Sequence, residues 1–227
     1  MTSLARVALP TGTITAVTAV AAPLALAVVL ADDVRVRRQL RTARRDPLTG
    51  LPGRDVLLDR INDLVAADRE QMHVLVADAD GLKAVNDTLG HAAGDVLIAA
   101  IGRRLDTWAQ ARDGLAARMG GDEFGVAVLL PAADLGREVR TLREYLTQPI
   151  DCGAQTLRPA VSIGAAWPSV LPATADASRI LRGADMAMYL VKKGQQPCGY
   201  VATCEDAYAA DVNGRRPGRP GTHLPAA

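Results

Sequence analysis

Four acidic residues stand where predicted strands end, and acids in such positions can bind metal ions. Asp78 and Asp80 follow an apolar run typical of a buried strand, and ligand sites in α/β sheets gather at strand ends. Asp122 and Glu123 adjoin a Gly-Gly pair between two further strand-like runs. Each acid alone would be interpreted as a solvated strand end. Four acids that one sheet could bring together, with no Cys or His beside them, predict a site for Mg²⁺ or Mn²⁺.

Asn86 and Asp95 lie on either side of a glycine-bounded turn and suggest a second kind of site. An aspartate carboxylate can accept hydrogen bonds from both N1–H and N2–H₂ of guanine, a donor pair that adenine lacks. An aspartate combined with an amide could therefore select guanine. From the residues alone, a helix cap formed by Asp95 or His91 is the simpler interpretation.

Three lysines could face the phosphate groups of a ligand, namely Lys83, Lys192 and Lys193. A lone lysine commonly lies on a solvated helix face, so the residues alone leave both interpretations open. Phe124 is most simply an anchor in the core of the hairpin.

The elements that must position these residues alternate between helical and strand-like patterns. Apolar residues recur at helical spacing in four segments, residues 54–70, 92–108, 132–147 and 174–191. Strands are predicted at 72–77, on both sides of the Gly-Gly pair, at 157–167 and at 198–203, and the glycine pair is typical of a tight hairpin turn. The order β–α–ββ–α–β–α–β predicts an α/β (α+β) fold, with a mixed and mainly antiparallel sheet covered by helices.

Charge and cysteine content exclude several classes of protein. The formal net charge is +1, but residues 1–45 hold seven arginines against two aspartates, which leaves −4 for residues 46–227. A mildly acidic body has no basic face for releasing counterions, so nucleic acid is not an expected partner. Three cysteines without CxxC spacing predict neither a disulfide scaffold nor a zinc site.

The N-terminal segment has the pattern of a membrane anchor. No charged residue occurs between Val7 and Ala31, and a helix of about 20 apolar residues spans a bilayer. Six arginines follow this segment and one precedes it, which predicts a single-pass plasma membrane protein with a cytoplasmic C-terminal side. A cleaved signal peptide ending near Ala27 and a buried core helix are the alternatives. We therefore expect a transmembrane segment at 1–31 and a basic linker helix at 32–45.

Several motifs together resemble the GGDEF family, the diguanylate cyclases. Residues 120–124 read GGDEF, and residues 78–95 follow the family's D-x-D-x-F-K-x-x-N-D-x-x-G-H-x-x-G-D stretch with Leu82 in place of Phe. Arg118 precedes the signature as it does in the family. Residues 46–54, 162–166 and 184–192 match the opening turn and the late blocks, in the family order. The resemblance covers residues 46–203, so a GGDEF domain is expected there, and a disordered tail at 204–227.

The resemblance implies a palm-like domain that condenses two GTP into cyclic di-GMP, as a homodimer with one GTP on each domain. It implies Mg²⁺ or Mn²⁺ as cofactor. The residues that match the family's functional positions are Asp78, the Ala79 carbonyl and Asp122 for the metal, Asp122 also as proton acceptor, Glu123 supporting the metal, Asn86 and Asp95 for guanine, Lys83 for the transferring phosphate and Lys192 for the distal phosphates.

Two departures from the family pattern bear on activity. After Lys192 the family runs K-x-x-G-R-N, whereas this chain runs Lys-Lys-Gly-Gln-Gln and lacks the arginine. The alternative function is therefore a weakly active or inactive module that binds GTP or cyclic di-GMP as a regulator. The family's inhibitory R-x-x-D site for product would fall at Ala111 and Gly114, so no inhibitory product site is expected.

Overall fold

The computed structural model describes residues 45–153 and 155–208 of the chain. The predicted transmembrane segment at 1–31, residues 32–44 of the predicted linker at 32–45 and residues 209–227 of the predicted tail lie outside the described residues. Within the described residues, no helix combines the length and the apolarity that crossing a membrane requires.

A five-stranded sheet with β1 at its centre forms the frame of the domain. Its strand order is β2-β3-β1-β6-β7; every neighbouring pair is antiparallel except β6 and β7, which run parallel. A separate hairpin joins β4 to β5. The strands are β1 (Met72–Asp80), β2 (Leu115–Gly120), β3 (Glu123–Leu129), β4 (Ile150–Cys152), β5 (Gln155–Leu157), β6 (Ala160–Ala166) and β7 (Tyr200–Val201).

Helices cover both faces of the sheet. They are α1 (Arg54–Ala67), α2 (Leu82–Leu89), α3 (His91–Gln110), α4 (Leu135–Leu146), α5 (Ala177–Lys192) and α6 (Cys204–Tyr208), with 3₁₀ turns at Ala132–Asp134 and Pro168–Val170. Leu75 and Ala77 of β1 pack in one apolar cluster with α3 and α4, while Val74 and Val76 pack in another with α1 and α5. Because both faces are covered, every residue of β1 except Asp80 is buried, and burial does not alternate along the strand.

The predicted α/β (α+β) class with a mixed, mainly antiparallel sheet is confirmed, and several details of the predicted elements need correction. A helix, α2, occupies Leu82–Leu89, where no separate helix was expected. The predicted strand at 157–167 is two strands, because Pro159 lacks the N–H that a ladder needs and separates β5 from β6. The tail was expected to begin at residue 204, but Cys204–Tyr208 forms α6. Ala207 is fully buried and lies close to Gly183 of α5, so packing on α5 explains why this segment is ordered.

Helix α5 lies unusually close to β6, and a glycine makes this possible. A Cβ atom added to Gly164 would stand 1.9 Å from the backbone nitrogen of Met188, so only glycine fits at this crossing. Asp176 caps the start of the helix, and its carboxylate accepts a hydrogen bond of 2.8 Å from the Arg179 N–H. It ends at Lys192, which the close packing brings to the carboxyl end of β1.

Candidate active site

The acidic strand ends meet in the structure as the sequence predicted. Asp78 of β1 lies directly opposite Glu123 of β3, and the Ala79 N–H donates a hydrogen bond of 3.0 Å to the Asp122 carbonyl. The turn between β2 and β3 is tight because Gly121 adopts a φ of +56°. The register of β1 and β3 therefore places the backbone of Asp122 beside that of Asp78, although 44 residues separate them in sequence.

Lys192 reaches this corner from α5 and contacts two of the carboxylates. Its Nζ lies 2.5 Å from Oδ1 of Asp78 and 3.6 Å from Oδ1 of Asp80. The other oxygen of Asp80 accepts a hydrogen bond of 2.8 Å from the Ser162 hydroxyl of β6. Three strands and one helix thus converge on a single cluster of charge.

The electrostatics of the cluster are set by burial as well as by charge. Asp78 is almost fully buried, and this burial, together with the charges of Asp122 and Asp80, raises the pKa of its carboxyl against the opposing effect of Lys192. Burial by itself would lower the pKa of the Lys192 ammonium, but the hydrogen bond to Asp78 and the three nearby aspartates raise it. The ammonium is therefore charged at neutral pH and acts as the counter-ion of the buried carboxylate.

The residues present fit a hard cation. The Lys192 ammonium already occupies a cation position between Asp78 and Asp80, and Oδ1 of Asp80 is buried with no hydrogen-bond partner. In the described part of the chain, no three His, Cys, Asp or Glu side chains are arranged as a complete metal site. A divalent ion here would need backbone carbonyl oxygen, water or substrate phosphate to complete its coordination, as Mg²⁺ commonly does.

Asn86 and Asp95 lie on the adjacent helices α2 and α3. The side-chain oxygen of Asn86 is buried and has no hydrogen-bond partner, while Asp95 is exposed. A Cβ atom added to Gly94 would stand 1.9 Å from this oxygen, so the glycine provides the space that the amide occupies. The helix-cap interpretation is wrong, because α3 begins after Gly90 without a side-chain cap and Asp95 lies inside the helix.

The remaining lysines differ in their surroundings. Lys83 is exposed in the first turn of α2. Lys193 is exposed beyond the end of α5, with its Nζ 5.6 Å from the centre of the Tyr189 ring. Gly194 then turns the chain with a φ of +70°, so the departure from the family pattern falls directly after the helix.

Arg118 and Asp46 connect the opening turn to the hairpin. Nη1 of Arg118 lies 2.9 Å from both oxygens of Asp46, while its Nε and Nη2 donate to the Gly121 carbonyl at 3.1 and 2.7 Å. Burial would raise the pKa of the Asp46 carboxyl, but hydrogen bonds from Thr49 and Arg118 hold it below its usual value. This ion pair fixes the turn that carries Asp122, so two motifs distant in sequence serve one site.

The expected place of an inhibitory product site lies at the end of α3. Ala111 and Gly114 lack the guanidinium and carboxylate that such a site would use. The neighbouring Arg112 donates to Glu138 at 2.7 Å and lies 4.2 Å from the centre of the Trp108 ring. Its side chain is thus committed to packing between α3 and α4.

Sequence reasoning missed two supporting residues and one contact. Gly94 makes room for Asn86, and Ser162 donates a hydrogen bond to Asp80. Lys192 was expected to bind phosphate, but its contact with Asp78 was not expected. The glycine and the serine stand within motifs that resembled the family, which was the available signal. The contact of Lys192 had no local signal, because 114 residues separate the two side chains.

Comparison with known proteins agrees with this arrangement. The family model for the diguanylate cyclase GGDEF domain matches residues 43–197. The diguanylate cyclase DgcP of Escherichia coli is 36% identical over 165 residues, which cover 69% of this chain and 47% of DgcP, so the chain spans about half the length of that relative.

Solved structures show the same fold. The GGDEF domain of TpbB from Pseudomonas aeruginosa has a TM-score of 0.62 and 34% identity, covering 72% of this chain and 96% of that one. The coiled coil and GGDEF domain of DgcB from Caulobacter crescentus, solved in complex with c-di-GMP, has a TM-score of 0.59 and 26% identity, covering 80% of this chain and 98% of that one. A family match over more than half of the chain, on a sheet whose central strands end in the expected carboxylates, makes this protein a member of the GGDEF diguanylate cyclase family.

Proposed function

We propose that the protein is an active diguanylate cyclase that condenses two GTP into cyclic di-GMP and two pyrophosphates. The observation that carries the proposal is the convergence of Asp78, the Asp122 backbone and Lys192 at one end of the sheet. The unpartnered Asn86 amide lies on α2, the helix that directly follows β1. A charged corner and a separate unsatisfied amide suit a nucleotide, whose phosphates and base need different partners.

Asp78, Asp122 and the Ala79 carbonyl would hold Mg²⁺ or Mn²⁺, with Glu123 in support. The ion supplies charge neutralisation at the transferring phosphoryl group and favours ionisation of the attacking hydroxyl. Asn86 and Asp95 bind guanine, and Lys192 binds the distal phosphates. Lys83 stabilises the charge of the transferring phosphate.

The reaction joins the 3′-oxygen of one GTP to the α-phosphorus of the other, and the bond to pyrophosphate breaks. The hydroxyl proton leaves through Asp122. The same step repeated in the opposite sense closes the ring, so two GTP-loaded domains must face each other. Positioning of the two nucleotides then supplies much of the rate enhancement.

The N-terminal 1–31 segment would anchor the protein in the plasma membrane, with the GGDEF domain in the cytoplasm where GTP is available. Confinement to the membrane raises the local concentration of domains and favours their pairing. A reporter fused to the C-terminus should be active in the cytoplasm. Activity of the reporter only outside the cytoplasm would contradict this topology.

The decisive experiment incubates the full-length protein with GTP and Mg²⁺ and measures cyclic di-GMP and pyrophosphate. Asp122→Ala should fold normally but lose at least about a thousandfold in rate, the scale of losing a transition-state charge stabiliser. Asp63→Ala, at an exposed position of α1, is the matched control and should keep the rate. If the wild-type protein binds GTP without forming product, the regulatory alternative replaces this proposal.

A further inference from the structure

Lys192 occupies the position at which a divalent cation would act in the proposed cyclase. Its Nζ lies 2.5 Å from Oδ1 of Asp78, whose side chain is only 4% exposed. A buried carboxylate without a counter-ion is strongly destabilising. The lysine therefore stabilises the domain in the absence of metal.

We propose that Lys192 is an exchangeable counter-ion, which neutralises Asp78 in the metal-free domain and is displaced from it by the divalent ion. The inference rests on the proposed function, because it takes Asp78 as a metal ligand. On this proposal Lys192 has two states. It binds the Asp78 carboxylate before metal and nucleotide bind, and it binds phosphate afterwards.

The two cations exclude each other at this carboxylate. A Mg²⁺ ion lies about 2.1 Å from its ligand oxygens, and the Lys192 ammonium stands 2.5 Å from the same oxygen. Both positive charges would then lie within a few ångströms of each other, beside a carboxylate that is almost fully buried. Repulsion at that distance favours one cation at a time.

The structure also gives Lys192 the freedom to leave. It is the last residue of α5, its side chain is 40% exposed, and its second contact, to Asp80, is longer at 3.6 Å. Asp80 remains fixed by Ser162 when the lysine departs. The ammonium can thus swing outward without unwinding the helix.

Exchange makes metal and triphosphate binding cooperative. In the absence of nucleotide the metal must displace an ammonium that has no other strong partner. A bound triphosphate provides oxygens to which Lys192 can bind instead. The free energy needed to move Lys192 away from Asp78 is then smaller, and the metal binds more tightly. The domain would therefore load metal and nucleotide together.

The test titrates Mn²⁺ into the nucleotide-free, full-length protein and measures the affinity for Mn²⁺ by calorimetry. Lys192→Met should bind Mn²⁺ about tenfold to a hundredfold more tightly than the wild type, the range expected when a charge-assisted hydrogen bond is lost from the competing state. Lys193→Met removes the same charge one residue along and should bind Mn²⁺ within about twofold of the wild type. Equal tightening in both variants, or none in Lys192→Met, would overturn the proposal.

A double-mutant cycle locates the effect at the proposed carboxylate. In an Asp78→Asn background, Lys192→Met should no longer change the affinity for Mn²⁺. If the tightening persists there, the lysine acts elsewhere and the proposal fails.

A second measurement follows the wild-type Lys192 side chain and so does not depend on whether Lys192→Met folds. The sequence holds three lysines, which makes isotope-labelled lysine side chains easy to resolve by NMR. Mg²⁺ alone should shift the Lys192 signal, assigned by elimination with Lys83→Met and Lys193→Met. An unchanged Lys192 signal at saturating Mg²⁺ contradicts exchange. These outcomes are independent of turnover, whereas failure to convert GTP would overturn the proposed function.

Discussion

The substitution Gly94→Ala should weaken guanine binding without lowering the stability of the fold. The added Cβ would stand 1.9 Å from Oδ1 of Asn86, 3.0 Å from its Cγ and 3.2 Å from a methyl carbon of Leu82. The severe clash is with the end of one side chain, so the Asn86 amide must rotate away while the backbone stays in place.

The magnitudes follow from the same geometry. Oδ1 of Asn86 has no hydrogen-bond partner in the nucleotide-free domain, so its displacement breaks no bond there. Alanine is favoured over glycine inside a helix by about 1 kcal/mol, so the free energy of unfolding should stay level or rise slightly. If Asn86 binds guanine as proposed, the lost hydrogen bond is worth about 0.5–1.5 kcal/mol, which lowers GTP affinity by up to about tenfold.

The assay pairs calorimetric GTP binding with thermal unfolding of the same samples. Gly136→Ala is the matched control, because Gly136 is an exposed helix position where an added Cβ meets nothing within 4 Å. The wild type and this control should bind GTP more tightly than ATP. This difference in affinity should be smaller in Gly94→Ala. Unchanged GTP affinity in Gly94→Ala would refute the assignment of Asn86 to guanine. A large fall in unfolding temperature would show instead that the amide is clamped in place.

Two further predictions concern pH and product. His73 is fully buried, and burial lowers the pKa of its imidazole against the effect of the Gln71 carbonyl, 3.0 Å from Nδ1. The unfolded chain therefore takes up a proton first as the pH falls, so the free energy of unfolding should decrease below about pH 6.5. The free energy of unfolding of His73→Phe, measured by denaturant titration between pH 7 and 5, should lack this pH-dependent decrease. If the free energy of unfolding falls equally with pH in the variant and the wild type, the reasoning is wrong. Because Ala111 and Gly114 lack the charged groups of an inhibitory site, initial rates should be insensitive to added cyclic di-GMP, and strong noncompetitive inhibition at micromolar product would reveal a site elsewhere.

The central strands of the main sheet could be predicted because they are largely apolar runs bounded by strong turn signals. Strand β1 and the β2–β3 hairpin were expected, and their register explains why Asp78 faces Glu123. Helix α2 was not expected, because only eight residues lie between Gly81 and Gly90 and none of them is fully buried. Strands β4 and β5 have three residues each, too few for an alternating pattern to appear.

The candidate site was predictable in composition but not in its contacts. The residue types came from motifs that resemble the family, and neighbouring strands brought the carboxylates together. The ion pair between Lys192 and Asp78 depends on how closely α5 crosses β6 at Gly164, which is a matter of packing between elements far apart in sequence. Local patterns carry no information of that kind.

The central position of β1 also has a consequence for synthesis of the chain. The two strands that pair with β1 are synthesised at different times, because β3 ends at residue 129 whereas β6 begins only at residue 160. Until the ribosome has made β6, one side of this central strand keeps unpaired N–H and C=O groups, the kind of edge that recruits other chains. A nascent chain of this length is the stage at which aggregation competes most with folding, and a truncation before residue 160 should need a chaperone to stay in solution.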